Sequence, residues 1–190
     1  RDEVRVGFPE FEFSKLISSP KVVAIGECGL DFFRSRDEER QTKLFKQQIE
    51  FALKYHKPLM LHCRNAYDEC LDILKSYKNE KLRGNAHFFA GNIEQAKQFL
   101  DLGFTLSFTG VITFARDYDE VIKYLPLDKI MSETDAPFVA PAPHRGKRNE
   151  PCFVVEVVKK IAEIKNLDLE ETQSILVQNA VQLFDLKVGN

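Results

Sequence analysis

Short apolar runs alternate along this chain with longer stretches in which apolar residues recur every three or four positions. Val22-Val23-Ala24-Ile25, Leu59-Met60-Leu61, Asn85–Phe89, Phe104–Phe108 and Ile130–Thr134 read as strands. The continuous apolar character of the first two is the pattern of parallel strands covered on both faces. A sixth, weaker segment, Val4-Arg5-Val6-Gly7-Phe8, alternates and reads as a further strand. Between them lie segments of helical period. Phe11–Ser18 forms a short helix ahead of Pro20, and Asp37–Lys57 a long one with Leu44, Phe45, Ile49, Ala52 and Leu53 on one stripe, stopped by Pro58. Ala66–Tyr77 faces inward through Tyr67, Cys70, Leu71 and Leu74. Asn92 and Gln95 have capping-box spacing at the start of a helix to Leu102. Tyr118–Leu125, Pro151–Lys165 and Leu169–Phe184 complete the helices, the last capped by Asp168 with Glu171.

Strands alternating with helices of these lengths predict right-handed βαβ units and a parallel sheet. The regular succession favours an α/β fold of the TIM type, a (β/α)8 barrel, over a doubly wound sheet. A closed barrel needs eight strands and this chain supplies five clear ones and one weak one. The expectation is therefore that the N-terminal strands are absent from this chain, which begins with Arg1.

Composition narrows the class. The 190 residues are enough for one domain with a sizeable core, and 44% hydrophobic with 29% charged residues is ordinary for a globular protein. A net charge of -2 gives no bulk attraction for nucleic acid, so a phosphate-bearing substrate needs local cations or metal. Cys28, Cys63, Cys70 and Cys152 have neither C-x-x-C spacing nor the density of a secreted scaffold, and read as reduced thiols. With no membrane-length apolar run and no signal-like start, the expected place is intracellular, cytoplasmic or nuclear, and the expected state a monomer.

Four residues stand where the strand segments end: Glu27, His62, His87 and Asp135. In a parallel barrel all strands point the same way, so the four gather on one rim, where such folds place their chemistry. Two carboxylates and two imidazoles suit a first-row divalent ion such as Zn²⁺ or Mn²⁺, with Mg²⁺ an option where oxygen dominates. A carboxylate shared by two ions would hold them about 3.5–4 Å apart and clamp both oxygens of a phosphoryl displacement. A lone strand-end histidine is more often structural, but four such residues at equivalent positions in successive units outweigh that reading. Glu133, two residues before Asp135, faces the same way and is expected behind the ligands. Asp31 assists the site or caps a turn. His56, at a lysine-rich helix end, reads as structural, and His144 in the proline loop as surface or substrate contact. Arg34, Arg64 and Arg148 follow the ligand positions and are the candidate phosphate binders, each alternatively a solvated charge. Phe88, Phe89 and Phe138 could stack on bases, with core packing expected of at least one.

At these residues the chain resembles the TatD family of metal-dependent deoxyribonucleases, within the amidohydrolase-like TIM barrels. The matching motifs are A-I-G-E-C-G-L-D-F (24–32), P-L-M-L-H-C-R (58–64), A-H-F-F-A-G (86–91), S-F-T-G (107–110), E-T-D-A-P (133–137) and R-G-K-R-N-E-P (145–151). The resemblance implies one metal-dependent hydrolase domain over residues 1–190, N-terminally incomplete. It implies that Glu27, His62, His87 and Asp135 are metal ligands for two divalent ions (Mg, Mn or Zn), that Glu27 is shared, and that Glu27 and Asp135 are catalytic, Asp135 helping to activate water. The implied activity is hydrolysis of DNA phosphodiesters, as a 3′–5′ exonuclease acting on single strands or 3′ ends. The family's first strand carries an H-x-H pair that has no counterpart here. Alternative readings are a barrel hydrolase of small cyclic amides or phosphoesters, and a non-catalytic relative that binds nucleic acid or protein.

Overall fold

In the computed structural model, which describes residues 8–35, 37–78 and 80–187, five parallel strands form one sheet. They are β1 (Ile25–Asp31), β2 (Leu59–Arg64), β3 (Gly84–His87), β4 (Phe104–Phe108) and β5 (Ile130–Ser132), and they neighbour one another in chain order. A doubly wound sheet reverses its strand order at a switch point; this one never does, which is the progression of a barrel wall. The helices are α1 (Glu10–Leu16), α2 (Glu38–Lys54), α3 (Tyr67–Lys75), α4 (Ile93–Asp101), α5 (Asp119–Tyr124), α6 (Val154–Lys165) and α7 (Leu169–Phe184). Helix α2 packs on β1, α3 on β2, α4 on β4 and α7 on β5, while α6 lies against α7 and the turn at Gly110–Thr113.

The strand period of two divides the sheet into two faces. Leu59, Leu61, Ala86, Phe104, Leu106, Phe108 and Ile130 alternate onto the helix side and are all buried. Each large side chain there contributes about 1.5–3 kcal/mol by leaving water. Phe89, Phe99 and Phe104 extend this layer edge to face, with centroids 6.0 Å apart in each pair. Met60, His62, Asn85, His87, Thr105, Ser107, Met131 and Glu133 take the other positions and make up the opposite face. The C-terminal helix is tied to the sheet by Asn179, whose Nδ2 donates to Leu127 O (2.8 Å) and Ile130 O (2.7 Å). Arg83 Nη1 donates to Leu183 O at 2.8 Å. The expected capping box is present: Gln95 N donates to Asn92 Oδ1 and Asn92 N to Gln95 Oε1.

Several boundaries move. Val22–Ala24, expected in the first strand, precede it; β1 begins at Ile25, the last residue of the expected strand, and runs on through Gly26–Gly29 to Asp31. The reason is close pairing: Gly29 adopts φ +129 and approaches His62 O so tightly that no side chain fits, and the register shifts between Ile25 and Cys28. Strand β3 stops at His87 and not at Phe89, since Phe88 turns to φ 47. Strand β5 ends at Ser132, although Glu133 N still bonds Phe108 O at 3.1 Å. Pro151–Phe153 forms its own 3-10 turn ahead of α6. The weak strand expected at Val4–Phe8 falls outside the described residues except for Phe8, an irregular residue whose N–H donates to Gln47 Oε1 at 3.1 Å.

Candidate metal centre

The shift in β1 delivers Glu27 to the carboxyl ends of β2 and β3. Its Oε1 lies 2.8 Å from His87 Nε2 and 3.7 Å from His62 Nδ1. One ligand atom from each of Glu27, His62 and His87 lies within 4.8 Å of the others, the metal-spaced cluster found among the described residues. A tetrahedral ion with bonds of about 2.0–2.2 Å separates its ligand atoms by roughly 3.4 Å. The donor set therefore fits a first-row divalent cation in both spacing and chemistry.

Behind each imidazole stands a carboxylate. His62 Nε2 is 3.1 Å from Asp31 Oδ2, and His87 Nδ1 is 2.7 Å from Glu133 Oε2. Such outer partners fix the ring orientation and leave the opposite nitrogen facing the centre. Glu133 is itself anchored: its Oε1 accepts from Phe88 N and from Ser107 Oγ, both at 2.6 Å. Ser107 Oγ in turn accepts from Asn85 Nδ2 at 2.7 Å, and Asn85 Oδ1 accepts from Thr105 Oγ1 at 3.0 Å. A hydrogen-bonded column thus runs down one face of the sheet beneath the centre.

Titration follows this wiring in the metal-free protein. Burial pushes the Glu133 carboxyl up, but its bonds from His87, Ser107 and Phe88 N–H outweigh it and hold the group below the usual carboxylate range. Burial disfavours protonated His87, yet Glu133, Glu27 and Asp135 together raise it above an ordinary imidazole. At Asp31 the opposing burial is outweighed by Arg34 N–H and His62, and the carboxyl is lowered. Asp135 moves the other way: burial, reinforced by Glu133 and Glu27, raises its carboxyl.

Glu27, His62 and His87 are brought together, and Asp135 stands beside the trio without joining it. It occupies the loop after β5 at φ 54, close enough to feel the charges of His87, Glu133, Glu27 and His62. Buried Asn149 grips that loop. Its Nδ2 contacts Thr134 O and Phe138 O at 2.6 Å, and its N–H donates to Pro137 O at 3.1 Å. Arg34 is exposed with Nε 3.8 Å from Asp31, Arg64 lies 3.8 Å over the exposed Phe33 ring, and Arg148 is exposed. Phe89 is core, Phe88 half-buried and Phe138 exposed. His144 stacks on Phe153 at 3.8 Å, and His56 is an exposed residue at a helix end. Burial pushes the Cys28 thiol up, as contact with Cys70 and burial do for Cys63, so neither is a ready ligand. Asp31 plays both expected parts, capping Phe33 N and Arg34 N while holding His62. Sequence reading overlooked Ser107, Asn85 and Asn149. For the first two the signal was there: polar residues inside strands, at the same parity as Glu133 and His87.

The sequence profile of the TatD related DNase family matches residues 7–185. The Bacillus subtilis protein YabD, named an uncharacterized metal-dependent hydrolase, is 41% identical over 173 residues, covering 90% of this chain and 68% of its own. An Erwinia tasmaniensis protein named 3′-5′ ssDNA/RNA exonuclease TatD is 35% identical over 180 residues, covering 90% and 70%. Among solved structures, the TatD homologue YJJV of Escherichia coli superposes with a TM-score of 0.86 at 31% identity, over 94% of this chain and 70% of its own. A Saccharomyces cerevisiae amidohydrolase shares the fold at 20% identity and TM-score 0.81, over 92% and 69%. The five-stranded sheet is accordingly part of a TIM-type barrel wall.

Proposed function

Because this chain belongs to the TatD related DNase family, whose members include metal-dependent hydrolases, we propose that it hydrolyses DNA phosphodiester bonds, as a 3′–5′ exonuclease. The observation that carries the reading is the convergence of Glu27, His62 and His87, each imidazole backed by its own carboxylate. Glu27, His62 and His87 would hold the divalent metal, with Asp135 beside them as the further ligand of a two-ion site. When bound, the metal supplies Lewis acidity toward a phosphoryl oxygen and a water of lowered pKa. Asp135, with its raised carboxyl, is suited to accept a proton at the edge of the trio. Asp31 and Glu133 keep the imidazoles aimed. Arg64, Arg34 and Arg148 supply the local cations that a net charge of -2 does not, so phosphate is held by guanidinium forks near the rim.

The test compares wild type with Glu27→Gln and Asp135→Asn on 3′-labelled single-stranded DNA with Mg²⁺ or Mn²⁺. Each substitution is expected to lower the rate by more than about a hundredfold, the upper end for positions behind the ligands. Full activity in either variant, or cleavage that survives a chelator, rules the proposal out. Turnover of small phosphoesters or cyclic amides with intact DNA would identify the other barrel chemistry instead.

A further inference from the structure

The turn that leaves β1 holds a large apolar ring out in solvent. Phe33 is 62% exposed and lies outside the core. Its ring contact among the described residues is the Arg64 guanidinium, 3.8 Å from the centroid. The turn is fixed without help from that ring. Asp31 Oδ1 accepts from Phe33 N at 3.0 Å and from Arg34 N at 2.9 Å. Gln41 Oε1 accepts from Asp31 N at 2.7 Å, and its Nε2 donates to Asp31 O (3.1 Å) and Ser35 O (3.0 Å). The same Asp31 ties the turn to the metal centre, since its Oδ2 lies 3.1 Å from His62 Nε2. Asp31 and Arg64 are register partners and the last residues of β1 and β2. Two residues beyond His62, Arg64 projects from the same face of the sheet, about 7 Å further along the strand. Its guanidinium covers one face of the Phe33 ring, and its N–H edge has no acceptor among the described residues. Arg34, with its side chain 78% exposed, adds a second cation next to the ring.

Resting on the nuclease reading above, we propose that Phe33 and Arg64 form a stacking seat for one base of a single-stranded substrate. The base lies on the open face of the Phe33 ring, and the guanidinium edge takes the neighbouring phosphate. A guanidinium stacked on an aromatic face keeps its in-plane N–H groups for such an oxyanion. Every base has a π-face, so the seat accepts all four and reads strandedness instead of sequence. A base inside a duplex is already stacked on both sides and cannot enter. The fixed turn matters because a ring held in place before binding loses little freedom when the base arrives.

The protein contains no tryptophan, so Phe33→Trp places a single fluorescent reporter in the seat. In chelator, where no strand is cut, this variant is titrated with a short oligothymidylate, with the same strand in a blunt duplex, and with inorganic tripolyphosphate. The single strand is expected to quench the indole emission, and the duplex and tripolyphosphate to leave it unchanged. Anisotropy of a labelled single strand then gives affinities: Phe33→Ala and Phe33→Leu are expected to weaken binding roughly five- to hundredfold, and Phe33→Tyr to stay near wild type. The leucine variant keeps an apolar side chain but no π-face, so its loss separates stacking from simple apolar contact. Absence of quenching, equal quenching by tripolyphosphate or duplex, or wild-type affinity in Phe33→Ala overturns the proposal whatever the activity. Quenching by the single strand alone, with no cleavage of any oligonucleotide by the metal-loaded wild type, upholds the seat and overturns the nuclease reading.

Discussion

The two faces of the sheet share a backbone and almost nothing else. On the helix side, Leu59, Leu61, Phe104, Leu106 and Ile130 are fully buried and make no polar contact with their side chains. On the other, Asn85, Thr105, Ser107 and Glu133 pass hydrogen bonds upward to His87 and so to Glu27. The apolar face tolerates any partner of the right volume. The polar face needs each donor matched to an acceptor, because an unpaired buried group costs about 1–3 kcal/mol. Stability thus resides mainly on one side and chemistry on the other. Alternation along a strand lets neighbouring residues such as Leu61 and His62 serve both without compromise.

Substitutions on opposite faces should therefore fail in different ways. The largest loss of stability is expected from Phe108→Ala, which empties a fully packed position and costs about 3–5 kcal/mol. Denaturant unfolding measures it, and metal affinity of the folded fraction should stay near wild type. A comparable loss of affinity would show that the faces are not separable. Glu133→Gln is expected to weaken divalent-metal binding by about 10–100-fold through loss of the charge behind His87, with a smaller change in folding. Calorimetric titration with Mn²⁺ decides it, and unchanged affinity would remove Glu133 from the site.

The smallest effect is the pH profile of the metal-free protein. Glu133 is lowered from its ordinary 4.5, so its stabilising part is complete above that value and fades as pH falls through the lower folded-state pKa. His87 is raised from 6.5, so its part is complete below 6.5 and is lost as pH climbs through the higher folded-state pKa. Thermal stability from this pair should be greatest between about 4.5 and 6.5, and metal affinity should rise with pH as the proton on His87 is removed. A Glu133→Gln variant should flatten the profile. An identical profile in wild type and variant would refute the assignment.

Periodicity alone made the strand and helix succession legible, along with the Asn92 capping box and the strand-end position of His87; Glu27 and His62, expected at strand ends, lie inside β1 and β2, which run on to Asp31 and Arg64. Those features are local, set by side-chain direction and by capping groups within a few residues of one another. Boundaries near the site were less legible. Gly26–Gly29 signals a break in a linear reading, yet it is where β1 presses closest to β2, a fact that belongs to the neighbour and not to the segment. Asn149 had no local signal at all, since its task is to bind carbonyls 10 to 15 residues away.

By itself the sequence determined the kinds of element, their order and the chemical types available at the strand ends. Tertiary structure alone decided that Asp31 backs His62 and Glu133 backs His87, which imidazole nitrogen meets Glu27, and that Asp135 stands next to the trio and not within it. These are contacts between residues 31 to 60 positions apart, or a backbone turn at φ 54, and hydrogen-bond strength falls off within a few tenths of an ångström. Patterns along a chain resolve faces and turns; only the packed sheet brings distant atoms to bonding distance.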